Sequence, residues 1–456
     1  MFGEIEQAAI TSPGAIRDRH QCNEIVHLST LAPGGYDLGM PHLQRKRIML
    51  RAAKDPFRVA SPRDTLTKNL IGTNTGNLIF STAAAKILSA PGSTITVDVF
   101  NPGPEHVDRI NAEYDHYVIP LANAFRPNFI EHLDRISACI ERLTIPVTIF
   151  GVGAQAASES DRASIGVLSS SVTRFCRAVL SRSPSIGVRG EFTASFLRSL
   201  GFSDDEIQVI GCPSAFLTEG ISQLPDRAPT INSSSSIAIN LSPEVPGAKR
   251  MAEAHQKAYR HLTYIAQNSR DLRLFLDRRF EAPDEALALA PITPGNPLFN
   301  ARQSALFLDP YPWIEFMKRQ DFSFGTRIHG NIAALLAGTP AVVIAHDTRT
   351  LELARYFEIP HVDMSGKQDI STLNAADLAA NADYGPLKRG HEARRIVMTQ
   401  FLDQHGLAHT TNGDSAALEF DSRMASLVLP GPVRAATQVQ AFTRYARRVI
   451  RRRVSR

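Results

Sequence analysis

Phe324-Gly325-Thr326-Arg327-Ile328-His329-Gly330-Asn331-Ile332-Ala333-Ala334-Leu335-Leu336-Ala337-Gly338-Thr339-Pro340-Ala341-Val342-Val343-Ile344-Ala345 is the most informative stretch of this chain. Arg327 and His329 stand two apart, flanking Ile328, where a loop turns into a small apolar helix. Gly338 is a C-terminal stop signal, Pro340 bars continuation, and Ala341–Ala345 reads as a buried strand. A helix N-terminus offers unpaired N–H groups and a positive dipole end, so two basic side chains beside it make a ready anion site. The competing reading makes Arg327 a cap for a neighbouring helix and His329 a satisfied core polar group. Two basic groups opening an otherwise apolar helix need a partner, which favours the anion site.

Working outward, short apolar runs alternate with helical patterns. Thr144–Phe150 reads as a buried strand ending in Gly151-Val152-Gly153. Ser185–Val188 is a second strand, followed by a helix over Glu191–Leu200 that Gly201 closes, and then a strand at Ile207–Ile210. Such alternation predicts a parallel sheet with helices on both faces. Leu224–Ser236, with two prolines and four consecutive serines, is the best linker. Beyond it the pattern predicts a strand at Ser236–Asn240, a long helix at about Lys249–Ser269 and a strand at Arg273–Asp277. Residues 282–300 read as a long loop or insertion, and the first 60 residues show no firm pattern.

A chain of 456 residues is too long for one ordinary core. The expected organisation is an N-terminal α/β domain over 1–226, a C-terminal α/β domain over 227–395, and a helical segment with a basic tail over 396–456. No run of 18 apolar residues exists, and the acidic N-terminus lacks the basic and apolar regions of a signal peptide. The four cysteines lack metal-ligand spacing, so a cytoplasmic location and no metal are expected. Cys212 reads as a buried structural thiol.

The formal charge of +5 is not a property of the whole chain. Residues 434–456 hold eight arginines and no acid, and subtracting those eight leaves −3 for the rest. Val439, Phe442, Tyr445, Ala446 and Ile450 would form an apolar face on a helix there. Such a helix could rest on an anionic membrane, on RNA or on its own protein, and a frayed terminus is the alternative. A peripheral contact at the inner face of the membrane is expected. No nucleic-acid partner is expected.

Arg327-Ile328-His329, the apolar helix, Gly338-Thr339-Pro340 and the following strand resemble the signature of the polysaccharide pyruvyl transferases. Three further blocks resemble the same family in the same order: Gly72-Thr73-Asn74-Thr75-Gly76-Asn77, Gly151-Val152-Gly153-Ala154-Gln155, and Gly187-Val188-Arg189-Gly190 through Gly201. Together they cover roughly residues 66–365. The resemblance implies two doubly wound, Rossmann-like domains facing across a cleft, similar to the GT-B glycosyltransferases. It also implies pyruvyl transfer from phosphoenolpyruvate to two hydroxyls of a sugar, forming a ketal, without a cofactor.

A donor with a carboxylate and a phosphate needs two cationic clamps, for which Arg189 and Arg327 are suited. His329 is the natural acid, or partner of the leaving phosphate, because an ordinary histidine titrates near working pH. Asn74, Gly76, Gln155, Asn240, Ile328 and His346 are the expected substrate-binding positions. Asn77 stands where the family usually has an acid, so no acid role is carried onto it. The Gly151-Val152-Gly153 turn lacks a third glycine and an acidic partner, which excludes a dinucleotide fingerprint. Two alternatives share the architecture: a glycosyltransferase using a sugar nucleotide, and a non-catalytic carbohydrate-binding protein.

Overall fold

A computed structural model describes residues 45–98, 100–161, 163–278, 292–299, 303–366 and 369–443, all within one compact unit. Among the described residues, twelve strands form two sheets. The first contains β1 (Lys46–Leu50), β2 (Ser93–Val97), β3 (His116–Ile119), β4 (Val147–Val152), β5 (Ile186–Val188) and β6 (Ile207–Val209), in the order β2-β1-β3-β4-β5-β6. The second contains β7 (Ser236–Asn240), β8 (His261–Ala266), β9 (Ser304–Leu306), β10 (Phe322–Gly325), β11 (Ala341–Ala345) and β12 (His361–Asp363), in the order β12-β11-β10-β7-β8-β9. Every pairing between these strands is parallel. The expected pair of doubly wound α/β domains is therefore present. In such sheets ligands sit beyond the carboxyl ends, where the strand order reverses. Here those points are β1/β3 and β7/β10.

Central strands of parallel sheets are covered on both faces, so they read as continuous apolar runs. β4 and β11 are buried along their whole length. Two expectations in the second half fail. The helix expected over Lys249–Ser269 is a helix at Ala248–Ala258 followed by β8, and Arg273–Asp277 belongs to a helix, Ser269–Asp277. The β-branched and aromatic run Leu262-Thr263-Tyr264-Ile265 fits a pleated, covered position between β7 and β9. Asn268 then caps the next helix, with the Asp271 carboxylate accepting its N–H at 3.1 Å. The expected loop over 282–300 lies largely outside the described residues, as does most of the stretch 1–60.

Helix Gly76–Leu88 joins the two halves. All its residues except Asn77 are buried, including Lys86, whose Nζ donates to Asp421 at 2.7 Å and to the Leu217 carbonyl at 3.1 Å. A helix apolar all round needs cover on every side. Its side chains lie in one continuous core with β1, β3 and the second sheet. A second core fills the opposite face of the first sheet.

The boundary expected at 395 falls inside helix Gly385–Gln404. That helix returns to the first sheet, where Phe401 stacks on Phe150 and His405 meets the Ser185 carbonyl at 3.1 Å. The start of the basic tail is also built in. Val433 exchanges backbone hydrogen bonds with Leu306 of β9, and Arg434 donates to the Ser304 carbonyl at 2.9 Å. Arg434 is thus a structural residue, while residues 444–456 lie outside the described residues.

One buried ion pair ties the halves together. Lys54, shortly after β1, meets Asp309, the N-cap of helix Pro310–Met317, at 2.9 Å with both side chains 2% exposed. Removing one partner leaves the other charge buried alone. Lys54→Met should therefore cost about 3–5 kcal/mol in denaturant unfolding. Lys54→Met combined with Asp309→Leu should recover much of that loss. A loss in the double variant equal to the sum of the losses of Lys54→Met and Asp309→Leu alone would show that the pair is not coupled.

Candidate active site

A cavity of about 430 Å³ lies where the carboxyl ends of the two sheets meet. From the first sheet's side it is lined by Asn74, Asn123, Arg126, Gln155 and Arg189. From the second it is lined by Glu244, Arg270, Arg327, Ile328, His329 and Arg349, among others. Five arginines thus face one carboxylate, that of Glu244.

Arg327 is positioned by a network at the β7/β10 reversal. Gly325 pairs with Asn240, and its φ of +148° brings the backbones so close that a Cβ would lie 1.9 Å from the Asn240 carbonyl oxygen. Only glycine fits there. The Asn240 side chain accepts the Arg327 N–H at 3.2 Å and donates to Asn331 at 2.9 Å. Asn331 in turn donates to the Gly325 carbonyl at 3.0 Å. The Arg327 guanidinium donates through Nε to the Leu241 carbonyl at 3.1 Å.

Arg189 follows β5 and is 1% exposed. Its Nε donates to the Gly151 carbonyl of β4 at 3.1 Å, and Nη2 lies 3.4 Å from Cys212 Sγ. Neither Arg189 nor Arg327 has an ion-pair partner among the described residues. Cys212 is fully buried, with its sulfur 3.9 Å from His329 Nε2, so it packs between Arg189 and His329.

His329, the second residue of helix Ile328–Leu335, also touches the helix that joins the halves. A Cβ on Gly76 would stand 2.9 Å from His329 Cβ, which explains a glycine in that first turn. Burial, reinforced by the positive charges of Arg189 and Arg349, holds the imidazole well below its ordinary pKa of 6.5. An unperturbed histidine would titrate near working pH, as the acid role expected of His329 requires. Among protein groups alone it is instead a neutral ring.

Six of the nine expected site residues line the cavity: Arg189, Arg327, His329, Asn74, Gln155 and Ile328. Three do not. Asn240 is fully buried and holds the Arg327 backbone, so it is a positioning residue. Gly76 makes room for His329. His346 turns aside and lies 3.6 Å from Asp347, within a small ionic group at the start of helix Thr348–Phe357. Burial alone would raise the Asp347 carboxyl. Arg349, His346 and the Thr350 hydrogen bonds together hold it at about 2, so it stays ionised.

Sequence reasoning missed Arg126 and Arg270, whereas Arg349 falls in the block 346–349 that reads as part of the donor site or its edge. Arg349 had a usable signal, since it follows β11 as Arg327 follows β10. Asn77 also acquires a role. Its side-chain amide donates to the carbonyls of Ile71 and Gly72 at 3.0 and 2.9 Å, a brace that a carboxylate could not supply.

The depressed pKa of His329 has two cationic causes that can be changed. Histidine NMR titration should find the ring neutral well below pH 6.5. A bound phosphate, or Arg349→Gln, should raise its pKa, because either change weakens the positive field. A ring that titrates near 6.5 and ignores both changes would remove the proposed coupling.

No curated protein matches the sequence. Solved structures with similar chain paths include S. aureus MnaA with UDP, at 11% identity and TM-score 0.39 over 85% of this chain and 99% of that one. A Methanocaldococcus jannaschii UDP-GlcNAc 2-epimerase in complex with UDP-GlcNAc and UDP matches at 11% and 0.40, over 77% and 99%. A UDP-N-acetylglucosamine 2-epimerase from Rickettsia bellii matches at 11% and 0.40, over 79% and 96%. At this distance they bear on neither substrate nor mechanism. The family model for polysaccharide pyruvyl transferase matches residues 74–348, more than half of the chain, from the Asn74 turn through Arg189 and Arg327 to the first residue of helix Thr348–Phe357. By that match, the chain is a member of the polysaccharide pyruvyl transferase family.

Proposed function

We propose that the protein transfers the pyruvyl group of phosphoenolpyruvate to two hydroxyls of a sugar in a polysaccharide or lipid-linked glycan, forming a ketal and releasing phosphate. The observation that carries this reading is the cavity's charge: five arginines against one carboxylate, with Arg189 and Arg327 free of ion pairs among the described residues. Phosphoenolpyruvate supplies the complement, a carboxylate and a phosphate a few bonds apart. Planar guanidinium forks suit both groups.

A proton adds to the methylene carbon, C2 becomes oxocarbenium-like, and the first sugar oxygen bonds to it. The C2–O bond to phosphate then breaks, and the second hydroxyl closes the ring. Of the two hydroxyl protons, one equivalent ends on the new methyl group and the other leaves with phosphate or solvent. The donor's negative charge raises the His329 pKa towards the working range, and His329 then supplies the proton. Glu244, the one carboxylate lining the cavity among the described residues, is the group available to accept a proton from an attacking hydroxyl.

Incubation with phosphoenolpyruvate and glycan acceptors should release phosphate and leave a pyruvyl ketal detectable by mass spectrometry. Arg327→Lys keeps the charge but loses the fork, and should lower kcat/KM by on the order of 10²-fold with little change in Tm. Thermal stabilisation by sugar nucleotides, with none by phosphoenolpyruvate, would overturn the reading in favour of a glycosyltransferase.

We also propose that the basic tail contacts an anionic membrane surface. Val439 and Phe442 are 75% and 72% exposed, and seven further arginines follow Arg434 in sequence. The full chain should sediment with phosphatidylglycerol vesicles more than a truncation after Thr437, and rising salt should weaken that association. The cut belongs after Thr437 because Val433 and Arg434 are part of the fold. Equal, salt-insensitive binding would eliminate the contact.

A further inference from the structure

Arg189 and Arg327 share one construction, and the chain contains a third example of it. Each arginine follows the carboxyl end of a strand and donates to a carbonyl at the same end of the adjacent strand. Arg189 after β5 reaches Gly151 of β4, and Arg327 after β10 reaches Leu241 after β7. Arg51, immediately after β1, points to the Pro120 carbonyl after β3 at 3.4 Å. This is the reversal point of the first sheet, as Arg327 marks that of the second.

Arg51 is 5% exposed and poorly satisfied. Its bond to Pro120 is long, as is a 3.5 Å contact with Asn101, and its buried Nε has no acceptor. No carboxylate pairs with it among the described residues. Its guanidinium lies 4.4 Å from the centre of the Phe100 ring, which spreads the charge without neutralising it. Burying an uncompensated cation is expensive, so a site that retains one calls for a partner beyond the described residues, for which a bound anion is suited.

The space beside Arg51 is a chamber of about 250 Å³ that adjoins the main cavity. The two share Gly72, Thr73, Asn77, Ala122, Asn123 and Arg126. Arg126 carries a second buried Nε without an acceptor. Among the described residues, no Asp or Glu lines this chamber. Its other walls carry side-chain amides, such as those of Asn69 and Asn128, and the rings of Phe80, Phe100 and Phe129. Amides and aromatic faces suit the hydroxyls and apolar faces of a sugar ring. Thr73, on the shared wall, has φ +72°, which is strained for a β-branched residue. It is held there by the Asn69 side chain, which accepts its N–H at 2.8 Å, and by Ser269, whose N–H donates to its carbonyl at 3.0 Å.

We propose that this second chamber is the acceptor subsite and that Arg51 and Arg126 bind an anionic group, a phosphate or a carboxylate, carried by the acceptor glycan. The acceptor is then a charged sugar. The assignment rests on the pyruvyl-transfer reading, which gives the main cavity to the donor. Arg51 lies outside the matched stretch 74–348, so the family match does not assign it this role.

The test uses the full chain loaded with phospholactate, an unreactive saturated relative of the donor, and titrated with three probes. Glucose 1-phosphate presents a phosphate, methyl glucuronide a carboxylate, and methyl glucoside neither. At least one charged probe should bind roughly tenfold or more tighter than methyl glucoside, without displacing phospholactate. The two charged probes tell a phosphate-bearing acceptor from a uronate. Arg51→Gln should erase the preference while leaving phospholactate affinity unchanged. Equal binding of all three probes, displacement of phospholactate by the charged ones, or an undiminished preference in Arg51→Gln would overturn the proposal. If that variant does not fold, the wild-type comparison decides alone. Failure of phospholactate to bind would count against the donor reading. The probe preference and its dependence on Arg51 would still be measured, so the two failures are distinguishable.

Discussion

The helix Gly76–Leu88 has no apolar face left for water, and that constraint organises the molecule. Eleven of its thirteen residues could be covered by ordinary packing, but Lys86 is buried as well and needs Asp421 and the Leu217 carbonyl to be tolerated. The cover comes from both sheets and from the C-terminal helices, so neither sheet's arrangement is independent of the other. The same helix begins at Gly76, against His329, and ends near Thr410, whose N–H donates to the Ile87 carbonyl at 2.7 Å. Packing therefore fixes the position of the imidazole relative to the first sheet. A surface helix could not have provided that.

The cavity is electropositive because of how its arginines are held. A carboxylate partner would fix a guanidinium and cancel its charge together. Backbone carbonyls at strand ends fix Arg189 and Arg327 through neutral acceptors and leave most of the charge in place. The carboxylates nearby are handled in two ways. Asp347 is ionised and occupied by Arg349, Thr350 and Gln155, which donates to it at 3.1 Å. Glu352 is fully enclosed, and burial raises its pKa to about 8 against the opposing pull of the Thr193 hydrogen bonds and Arg189.

Much of this was readable in the sequence, for identifiable reasons. Arg327, His329 and Arg189 stand where a loop opens a helix after an apolar strand, and chain order alone brings such positions to one edge of a parallel sheet. Asn240 was placed at the right strand end with the wrong role, because periodicity does not say whether a side chain turns to the cavity or to the neighbouring loop. His346 is drawn off by Asp347, whose place as the N-cap of helix Thr348–Phe357 is invisible until the helix start is known. Helix Lys249–Ser269 was misread because Tyr259–Ala266 is apolar enough for either element, and only pairing with β7 and β9 selects a strand. Arg51 had no local pattern to mark it, since its meaning depends on Pro120, far away in sequence.

Glu352 shows why an acid can sit beside this site without spoiling it. Its carboxyl lies against Gly153 and Gly190, where a Cβ would come within 3.0 Å of Glu352 atoms, so both glycines make room for it. With a pKa of about 8 the group is mostly protonated at neutral pH, and a neutral acid does not cancel the charge of Arg189. The folded pKa lies above the unfolded value of 4.5, so the folded state binds the extra proton between those two values. Its contribution to stability is present below the lower value and is lost as pH rises through the upper one. Near neutrality the protein thus keeps a buried acid uncharged and a buried arginine charged side by side. An anion entering the cavity meets the field of Arg189 without competition from that carboxyl.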